Sequence, residues 1–282
     1  MLPEAHHEWL CLEIKVRPEE VDKYVSLLWE LGTTGLEEIP QPDGVAIKAF
    51  FPSSFPAEEL KQIFSAVDCR VDRVVSNPDD WVENYKKNFH GFPVGRTFYI
   101  HPSWEAGSAD YPVNLVIDPG HAFGTGTHES TQLCLLALEQ LAAGASSIAD
   151  VGTGSGILAL AARRLNPDAA VLAVDNDWQA IEMARENLLK NRAGRVCLAA
   201  ATAAAVNARF DLVLANLSFG IFQIAAAEIA PLVTHNLIIS GFTTDQAPVL
   251  ADLFATHGLQ PAQRWEANGW VCLRLTPVNR LS

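Results

Sequence analysis

The sequence predicts an α/β protein in which a small α+β domain precedes a larger, doubly wound domain. Three observations support this fold class. The length of 282 residues suits one medium and one small domain. The first 76 residues show strand and helix patterns in the order β-α-β-β-α-β, which is the order of a ferredoxin-like domain. From residue 113 onward strands and helices alternate, which predicts a mostly parallel sheet with helices on both faces.

The small domain, assigned to residues 1–76, is predicted to contain four strands and two helices. Its first helix begins at a proline followed by two acids and ends at Gly32, as a capped amphipathic helix does. Its second and third strands flank the turn PQPDG. In chain order the elements are the strand EWLCLEIKV, the helix PEEVDKYVSLLWELG, the strands TTGLEEI and GVAIKAFF, the helix PAEELKQIFSAV and the strand CRVDRVVS. Such a module is a common accessory domain and does not specify an activity.

Residues 77–112 differ in character from the segments on either side. NPDDWVENYKKNF has helical spacing after an Asn-Pro start, and TFYIHPSWE has the pattern of a short strand. We assign this stretch to a linker helix and a connecting strand. The large domain then covers residues 113–282, with the predicted strands VNLVID, SIADVG, AAVLAVD, RVCLAA, FDLVLAN, NLIISG, LQPAQRWEA and GWVCLRL.

Composition limits the classes of function. The formal net charge of −13 disfavours binding to duplex nucleic acid, and it permits a small-molecule enzyme or an enzyme with a basic protein substrate. No apolar run is long enough to span a membrane, and the N-terminal residues do not resemble a secretion signal, so we expect a cytoplasmic protein. The five cysteines are scattered without a CxxC pair, which predicts reduced thiols.

A glycine-rich turn in ADVGTGSGILAL is predicted to bind a nucleoside cofactor. Asp150 ends a strand, Gly152, Gly154 and Gly156 follow, and a helix begins. Glycines let the backbone approach a ligand closely, and the start of the helix offers donors and a positive dipole end. A dinucleotide fingerprint would place its third glycine at position 157, which is Ile157. The pattern D-x-G-x-G-x-G instead resembles the S-adenosylmethionine turn of Rossmann-like methyltransferases.

Polar residues end two later strands. Asp175 follows the strand AAVLAV, where a carboxylate can accept two hydrogen bonds from a ribose diol in either a nicotinamide or an S-adenosylmethionine enzyme. The alternative role of a helix N-cap suits Asp177 better than Asp175. Asn216 ends FDLVLAN, where its amide can orient an amine toward a methyl group but cannot serve as an acid or base. A helix-capping role is the alternative for Asn216.

Four motifs in order resemble one enzyme family. DPGHAFGTGTHEST, ADVGTGSGILALAA, AVDND and LVLAN are similar to the ribosomal protein L11 methyltransferase family. The similarity continues in WVENYKKNFHGFPVGRTFYIHPSWE, LIISGF and GWVCLRL, and so spans most of the chain. The resemblance implies a Rossmann-like class I methyltransferase domain with a mostly parallel seven-stranded sheet. It also implies that S-adenosylmethionine is the cofactor and that the substrates are lysine side chains and the N-terminal amine of L11.

The resemblance also implies the roles of individual residues. The first glycine-rich loop, which begins at Asp118, would cover the cofactor, and the second would hold it. The implied cofactor-binding residues are Thr131, Gly152, Gly154, Asp175 and Asn216, and Asn216 is also the catalytic residue, near the reacting methyl group.

The resemblance implies partners as well. The small domain would grip the basic protein L11, and we expect a monomer that binds neither nucleic acid nor membrane. No metal is expected, because His121 and His128 in the first loop have no third ligand nearby. Two stretches depart from the family pattern. CLAAATAAAVN lacks an acid for adenine, which must then be held by apolar contacts and backbone groups, and NLSFG leaves the fit of the substrate near Ser218 and Phe219 open.

Three alternatives remain at the level of sequence. One is a methyltransferase of the same fold that acts on another protein, an RNA or a small molecule; a glutamine-methylating enzyme would show N-P-P-Y where this chain has NLSF. The second is an NAD(P)-linked oxidoreductase, which is disfavoured because Ile157 replaces the third glycine of a dinucleotide fingerprint. The third is a non-catalytic binder that uses only the N-terminal domain.

Overall fold

The structure is a computed structural model that describes residues 7–33, 35–76, 89–118 and 124–278. The chain divides into two compact units, Met1–Phe89 and His90–Ser282. The predicted linker helix at residues 77–88 and the part of the first glycine-rich loop at residues 119–123 lie outside the described residues. Within the described part of the chain, no helix is long and apolar enough to cross a membrane.

The first unit has the predicted element order. Its four-stranded sheet is antiparallel throughout, in the order β2-β3-β1-β4. The elements are β1 (His7–Val16), α1 (Val21–Glu30), β2 (Gly35–Gln41), β3 (Gly44–Pro52), α2 (Ala57–Ile63) and β4 (Asp68–Ser76). Helix α2 is shorter than predicted because Phe64 leaves the helical conformation, and the Ser65 hydroxyl donates to the Gln62 carbonyl at 2.8 Å.

The core of the first unit lies on one face of the central strand β1. Leu10, Leu12 and Ile14 alternate along this strand and are buried, as the two-residue period of a strand requires. Phe51 from β3 and Leu60 from α2 complete the same cluster. The apolar alternation along β1 therefore fixes which face of the sheet the helices cover.

The second unit begins with a small sheet of three strands. They are β5 (Phe92–Val94), β6 (Phe98–His101) and β7 (Val113–Val116), with β6 and β7 parallel. The segment VNLVID, predicted as the first strand of the large domain, belongs to this small sheet as β7. Asp118, just after it, accepts hydrogen bonds from Ser103 N at 2.6 Å and Oγ at 2.8 Å and pairs with Lys190 Nζ at 2.9 Å, which fixes the start of the first glycine-rich loop.

The large sheet of the second unit has seven strands in the order β10-β9-β8-β11-β12-β14-β13. The strands are parallel except β14, which is antiparallel to β12 and β13. The predicted doubly wound, mostly parallel sheet is therefore confirmed. The elements are α3 (Glu129–Leu141), β8 (Ser147–Val151), α4 (Ile157–Leu165), β9 (Ala170–Asp175), α5 (Trp178–Lys190), β10 (Val196–Ala200), β11 (Phe210–Asn216), α6 (Phe219–Ile229), β12 (Val233–Thr243), α7 (Ala247–Thr256), β13 (Leu259–Ala267) and β14 (Trp270–Pro277).

Local sequence explains the character of these strands. β8 and β11 are runs of buried apolar residues because helices cover both faces of a parallel sheet. At one end of the sheet, β13 and β14 pair antiparallel because a two-residue turn joins them. Asn268 and Gly269 in that turn both have positive φ, 48° and 82°, which is the requirement of a type I′ hairpin.

The topology brings the predicted site residues to one edge of the sheet. The strand order reverses between β8 and β11, and in such folds ligands bind outside the carboxyl ends of the strands at this point. Gly152 directly follows β8, Asp175 ends β9 and Asn216 ends β11. The candidate site therefore lies at the carboxyl ends of these three strands.

Candidate active site

The glycine turn after β8 has the conformation that only glycine adopts readily. Gly152, Gly154 and Gly156 have φ of 71°, 54° and 80°. A Cβ on Gly156 would lie 3.1 Å from Cα of Ala184, so α5 packs directly against the turn. The backbone N–H of Gly152 donates to the Val174 carbonyl at 2.9 Å, which ties the turn to β9. Leu217 packs as closely on the other side, 2.3 Å from where a Cβ on Gly152 would lie, so the turn has no room for a side chain at either glycine.

Asp150 stabilises this turn through hydrogen bonds to the turn and to the helix that follows it. Its Oδ2 accepts hydrogen bonds from Thr153 Oγ1 at 2.6 Å and from Ala159 N at 3.1 Å, in the first turn of α4. Its Oδ1 is buried and has no hydrogen-bond partner among the described residues. The pKa of Asp150 is raised to about 6, because burial and, less strongly, the negative charge of Asp175 raise it more than the two hydrogen bonds lower it. Sequence reasoning placed Asp150 at the end of a strand but missed this role.

Asp175 binds the glycine turn through one carboxylate oxygen and the N-cap residue of α5 through the other. Oδ2 accepts from Gly154 N at 2.9 Å, and Oδ1 accepts from Asp177 N at 3.0 Å. A carboxylate offers about four acceptor positions, so each oxygen retains capacity for a further donor. Asp177, as expected, caps helix α5 by accepting from Gln179 N at 2.8 Å.

Asn216 and Thr131 lie together although they are 85 residues apart. Asn216 Nδ2 donates to Thr131 Oγ1 at 3.1 Å, and Thr131 is wholly buried in the first turn of α3. Asn216 Oδ1 is buried and lacks a hydrogen-bond partner in the described part of the chain. The alternative in which Asn216 caps a helix is wrong, because Ser218 occupies the N-cap position of α6.

The described end of the first glycine-rich loop rests against the second glycine turn. The Gly124 carbonyl accepts from Ser155 Oγ at 2.5 Å. Gly126 has φ of 89°, and a Cβ there would lie 2.6 Å from Cδ1 of Ile100. The two glycine-rich segments of the sequence are therefore parts of one site. Residues 119–123, including His121, lie outside the described residues.

His128 has a structural role at the start of α3. Its Nδ1 accepts from Ser130 N at 3.2 Å, so it caps the helix, and its ring packs edge-on against Trp270 at a centroid distance of 4.4 Å. Burial lowers the pKa of His128, which favours the neutral ring that capping requires. Within residues 7–33, 35–76, 89–118 and 124–278, no group of three His, Cys, Asp or Glu side chains is placed to bind a metal.

Gly241 is a member of the site that sequence reasoning missed. It has φ of 97° and lies at a register shift between β12 and β14. A Cβ there would lie 2.4 Å from the Leu217 carbonyl oxygen and 3.0 Å from Asn216 Oδ1. A glycine inside a strand pattern is a known signal of a bulge or of close backbone approach. The segment NLIISGF contains such a glycine, but the sequence does not show which residue lies close to it.

Comparison with known proteins identifies the family. The family model described as ribosomal protein L11 methyltransferase (PrmA) matches residues 8–277. The chain belongs to this family. Among similar proteins are the ribosomal protein L11 methyltransferases of Syntrophotalea carbinolica, 33% identical over 94% of this chain and 97% of that protein, and of Geobacter metallireducens, 35% identical over 86% of each. The crystal structure of ribosomal protein L11 methylase from Lactobacillus delbrueckii subsp. bulgaricus matches with 29% identity and a TM-score of 0.63, over 68% of this chain and 99% of that one.

Membership in this family decides between enzyme classes. The resemblance inferred from the sequence motifs is confirmed, and the chain is a methyltransferase. The NAD(P)-linked oxidoreductase and the non-catalytic binder are therefore wrong alternatives. The geometry is consistent with this outcome, since Ile157, which replaces the third glycine of a dinucleotide fingerprint, is the first residue of α4 and is buried.

Proposed function

We propose that the protein transfers methyl groups from S-adenosylmethionine to amines of ribosomal protein L11, namely lysine side chains and the N-terminal amine. The observation that carries this proposal is the unpartnered Oδ1 of Asn216 at the carboxyl edge of the sheet, in a chain whose residues 8–277 match the L11 methyltransferase family. A buried acceptor without a donor costs about 1–3 kcal/mol, so this position favours a ligand that brings an N–H group.

The residues at this edge fit S-adenosylmethionine. Gly152 and Gly154 hold the turn in a positive-φ conformation at the N-terminus of α4, which favours a carboxylate nearby. Asp175 retains acceptor capacity for a ribose diol. We assign Gly152, Gly154, Asp175 and Asn216 to cofactor binding. When bound, the cofactor supplies a methyl group that is already activated on a sulfonium.

The adenine of the cofactor would lie next to Asp175, toward β10. Parallel pairing places Asp175 opposite Ala200, and Ala201 N donates to the Asp175 carbonyl at 2.8 Å. The stretch from Ala201 to Ala205 carries no acid, so apolar contacts and backbone groups would hold the base there. Trp178, which is 62% exposed at the start of α5, offers further apolar surface three residues after Asp175.

The role of Asn216 is to position a neutral amine. A lysine of ordinary pKa, about 10.4, is protonated at pH 7, and removing that proton costs about 4.6 kcal/mol. An α-amine with a pKa near 8 costs much less. The amide carbonyl of Asn216 can accept an N–H of the neutral amine and hold its lone pair in line for displacement. Asn216 has no acid-base power, so the proton leaves to water.

The two parts of the chain would have separate functions. We assign methyl transfer to residues 113–282 and recognition of L11 to residues 1–76, with residues 77–112 as the connection. A net charge of −13 suits a basic protein substrate and disfavours a nucleic acid. The protein would act in the cytoplasm as a monomer.

The test is mass spectrometry of L11 after incubation with the protein and S-adenosylmethionine. We expect L11 to gain methyl groups on lysines and on its N-terminal amine. A protein that binds the cofactor yet leaves L11 unmodified, while it methylates another protein, an RNA or a small molecule, would contradict the proposed substrate. The same assay with NADH in place of S-adenosylmethionine serves as the negative control.

Asn216→Ala separates positioning of the amine from binding of the cofactor. We expect turnover at saturating cofactor to fall about 10- to 1000-fold, because one misplaced reactant group has an effect of this size. Cofactor affinity, measured by calorimetry, should fall much less than turnover, because most of the assigned cofactor contacts lie at other residues. Asn207→Ala, at an exposed position between β10 and β11, is the matched control. A loss of affinity with normal turnover at saturation would mean that Asn216 is a cofactor ligand only.

A further inference from the structure

The structure gives Thr131 a contact that differs from the one implied by the sequence motifs. The motifs imply that its hydroxyl contacts the cofactor. In the structure Thr131 is wholly buried, and its Oγ1 accepts a hydrogen bond from the amide nitrogen of Asn216 at 3.1 Å. The hydroxyl is thus already engaged with the residue that the proposed function places next to the amine.

Several contacts hold Thr131 in place at the start of α3. Thr131 N donates to the His128 carbonyl at 3.0 Å, and His128 caps the helix through Ser130 N. Asn268 Nδ2, in the turn between β13 and β14, donates to Glu129 Oε1 at 3.0 Å. The Thr131 hydroxyl is therefore carried by a helix end that is fixed on two sides, and it can act as a firm support for another side chain.

The opposite side of the Asn216 amide is closed by backbone. Leu217 N donates to the Ser240 carbonyl at 3.0 Å, which fixes the chain just after Asn216. Gly241 approaches so closely that a Cβ there would be 3.0 Å from Asn216 Oδ1. The amide is thus held between the Thr131 hydroxyl and the backbone of β12. With Nδ2 bound to Thr131, Oδ1 is the end left without a partner among the described residues.

The orientation of this amide decides what it offers to a substrate. Rotation of the amide by half a turn exchanges a carbonyl acceptor for an NH₂ donor. An acceptor binds an N–H of the neutral amine and leaves its lone pair free, whereas an NH₂ donor would bind the lone pair that must attack the methyl group. A group that binds the amide nitrogen therefore selects the orientation that suits the reaction.

We propose that Thr131 is a positioning residue that acts on methyl transfer through Asn216, by binding its amide nitrogen and so fixing the orientation of the amide. This inference rests on the proposed function and deepens it. It assigns to the hydroxyl an indirect role, distinct from that of a cofactor ligand. It also explains why a polar side chain stays wholly buried at a helix start whose N-cap is already supplied by His128.

Thr131→Val and Thr131→Ser test the proposal in the full-length protein. Valine keeps the shape of threonine without the hydroxyl, and serine keeps the hydroxyl. We expect Thr131→Val to lower kcat toward L11 about 10- to 100-fold, the effect of a slightly misplaced reactant group. The Kd for S-adenosylmethionine should stay within about 2-fold of wild type, and Thr131→Ser should restore kcat to within about 3-fold. If the valine variant does not fold, Thr131→Ala replaces it.

A double-mutant cycle with Asn216→Ala decides whether Thr131 acts through Asn216. If it does, Thr131→Val should have no more than about a 2-fold further effect on kcat once Asn216 is alanine. Multiplicative losses of kcat in the double variant would overturn the proposal. A rise of about 10-fold or more in the Kd for S-adenosylmethionine, with normal kcat at saturation, would also overturn it and make Thr131 a direct cofactor ligand.

A spectroscopic measurement without cofactor or substrate completes the test. The side-chain NH₂ signal of Asn216 in a ¹H–¹⁵N spectrum is assigned by its loss in Asn216→Ala. It should shift in Thr131→Val and return in Thr131→Ser, and an unchanged signal in the valine variant would overturn the proposal. If wild-type protein leaves L11 unmethylated, the proposed function is wrong. If it methylates L11 and Thr131→Val is equally active, only the role of Thr131 is wrong.

Discussion

Replacing Asp150 by asparagine should change the dependence of stability on pH. Asp150 is 1% exposed at the end of β8 and supports both the glycine turn and the start of α4. Its neighbour Asp175 adds a second negative charge. Ionisation of Asp150 in the folded protein is therefore unfavourable. The uncharged side chain of asparagine removes this penalty while it keeps the size of the residue.

The size of the effect follows from the raised pKa. The pKa of Asp150 is raised, mainly by burial, from 3.8 to about 6, a difference of 2.2, which corresponds to about 3 kcal/mol. The folded protein binds the proton more tightly than the unfolded chain does, so this stabilisation is complete below about pH 4 and is lost as the pH rises through about 6. About 2 kcal/mol of the 3 should be lost between pH 4.5 and 7.5, which are practical limits for an assay.

The asparagine variant should lack this dependence. Its amide oxygen can still accept from Thr153 and Ala159, but its NH₂ group takes the place of the unpartnered Oδ1 and costs about 1–3 kcal/mol at every pH. The stability of the variant relative to wild type should therefore rise by about 2 kcal/mol between pH 4.5 and pH 7.5.

The assay is urea unfolding of wild type and variant, followed by circular dichroism at several pH values. Other titrating groups contribute equally to both proteins, so the difference between the two unfolding free energies isolates Asp150. Asp168→Asn, in an exposed turn after α4, is the matched control and should show no such slope. A difference between wild type and Asp150→Asn that stays constant from pH 4.5 to 7.5 would refute the reasoning.

Three further predictions concern the cofactor, the turn and the small domain. Asp175→Ala should weaken binding of S-adenosylmethionine by about 1.5–3 kcal/mol, the range for a lost hydrogen bond to a charged group, and unchanged affinity in calorimetry would contradict the ribose assignment. Gly156→Ala should destabilise the protein by at least about 1–2 kcal/mol in urea unfolding, because φ is 80° and a Cβ would press on Ala184, whereas Gly144→Ala, with open space around it, should not. A chain without residues 1–76 should still bind S-adenosylmethionine but fail to methylate intact L11; full activity on L11 would exclude the small domain as the recognition element.

The main sheet was predictable because its signals are local. FDLVLAN was predicted as a strand and forms β11 with the same bounds, since a parallel strand covered on both faces is a continuous apolar run. The positions of Asp175 and Asn216 followed from the same rule, because the carboxyl ends of parallel strands meet at one edge. The glycine turn was predictable because each of its three positions has a positive φ. Such a position selects glycine, so the conformation is visible in the sequence itself.

The parts that were not predicted depend on long-range placement. VNLVID was correctly predicted as a strand, but its partner is β6 in the small sheet, and a short strand does not encode its partner in its own pattern. The hydrogen bond between Thr131 and Asn216 joins residues from α3 and β11. The approach of Gly241 to Asn216 likewise depends on a bulge in β12. These contacts exist only once the sheet has formed.

Buried polar atoms without a hydrogen-bond partner lower the stability of the fold, and they lie in one region of the second unit. Asp150 Oδ1 and Asn216 Oδ1 lack partners among the described residues, and the strands that carry them, β8 and β11, are neighbours in the sheet. Trp270 Nε1, equally without a partner there, lies beside His128 at the start of α3. Each such group costs about 1–3 kcal/mol, which apolar residues of similar size would avoid. All three lie at the carboxyl edge of the sheet or beside the start of α3, so the unpartnered polar groups are concentrated around the candidate site.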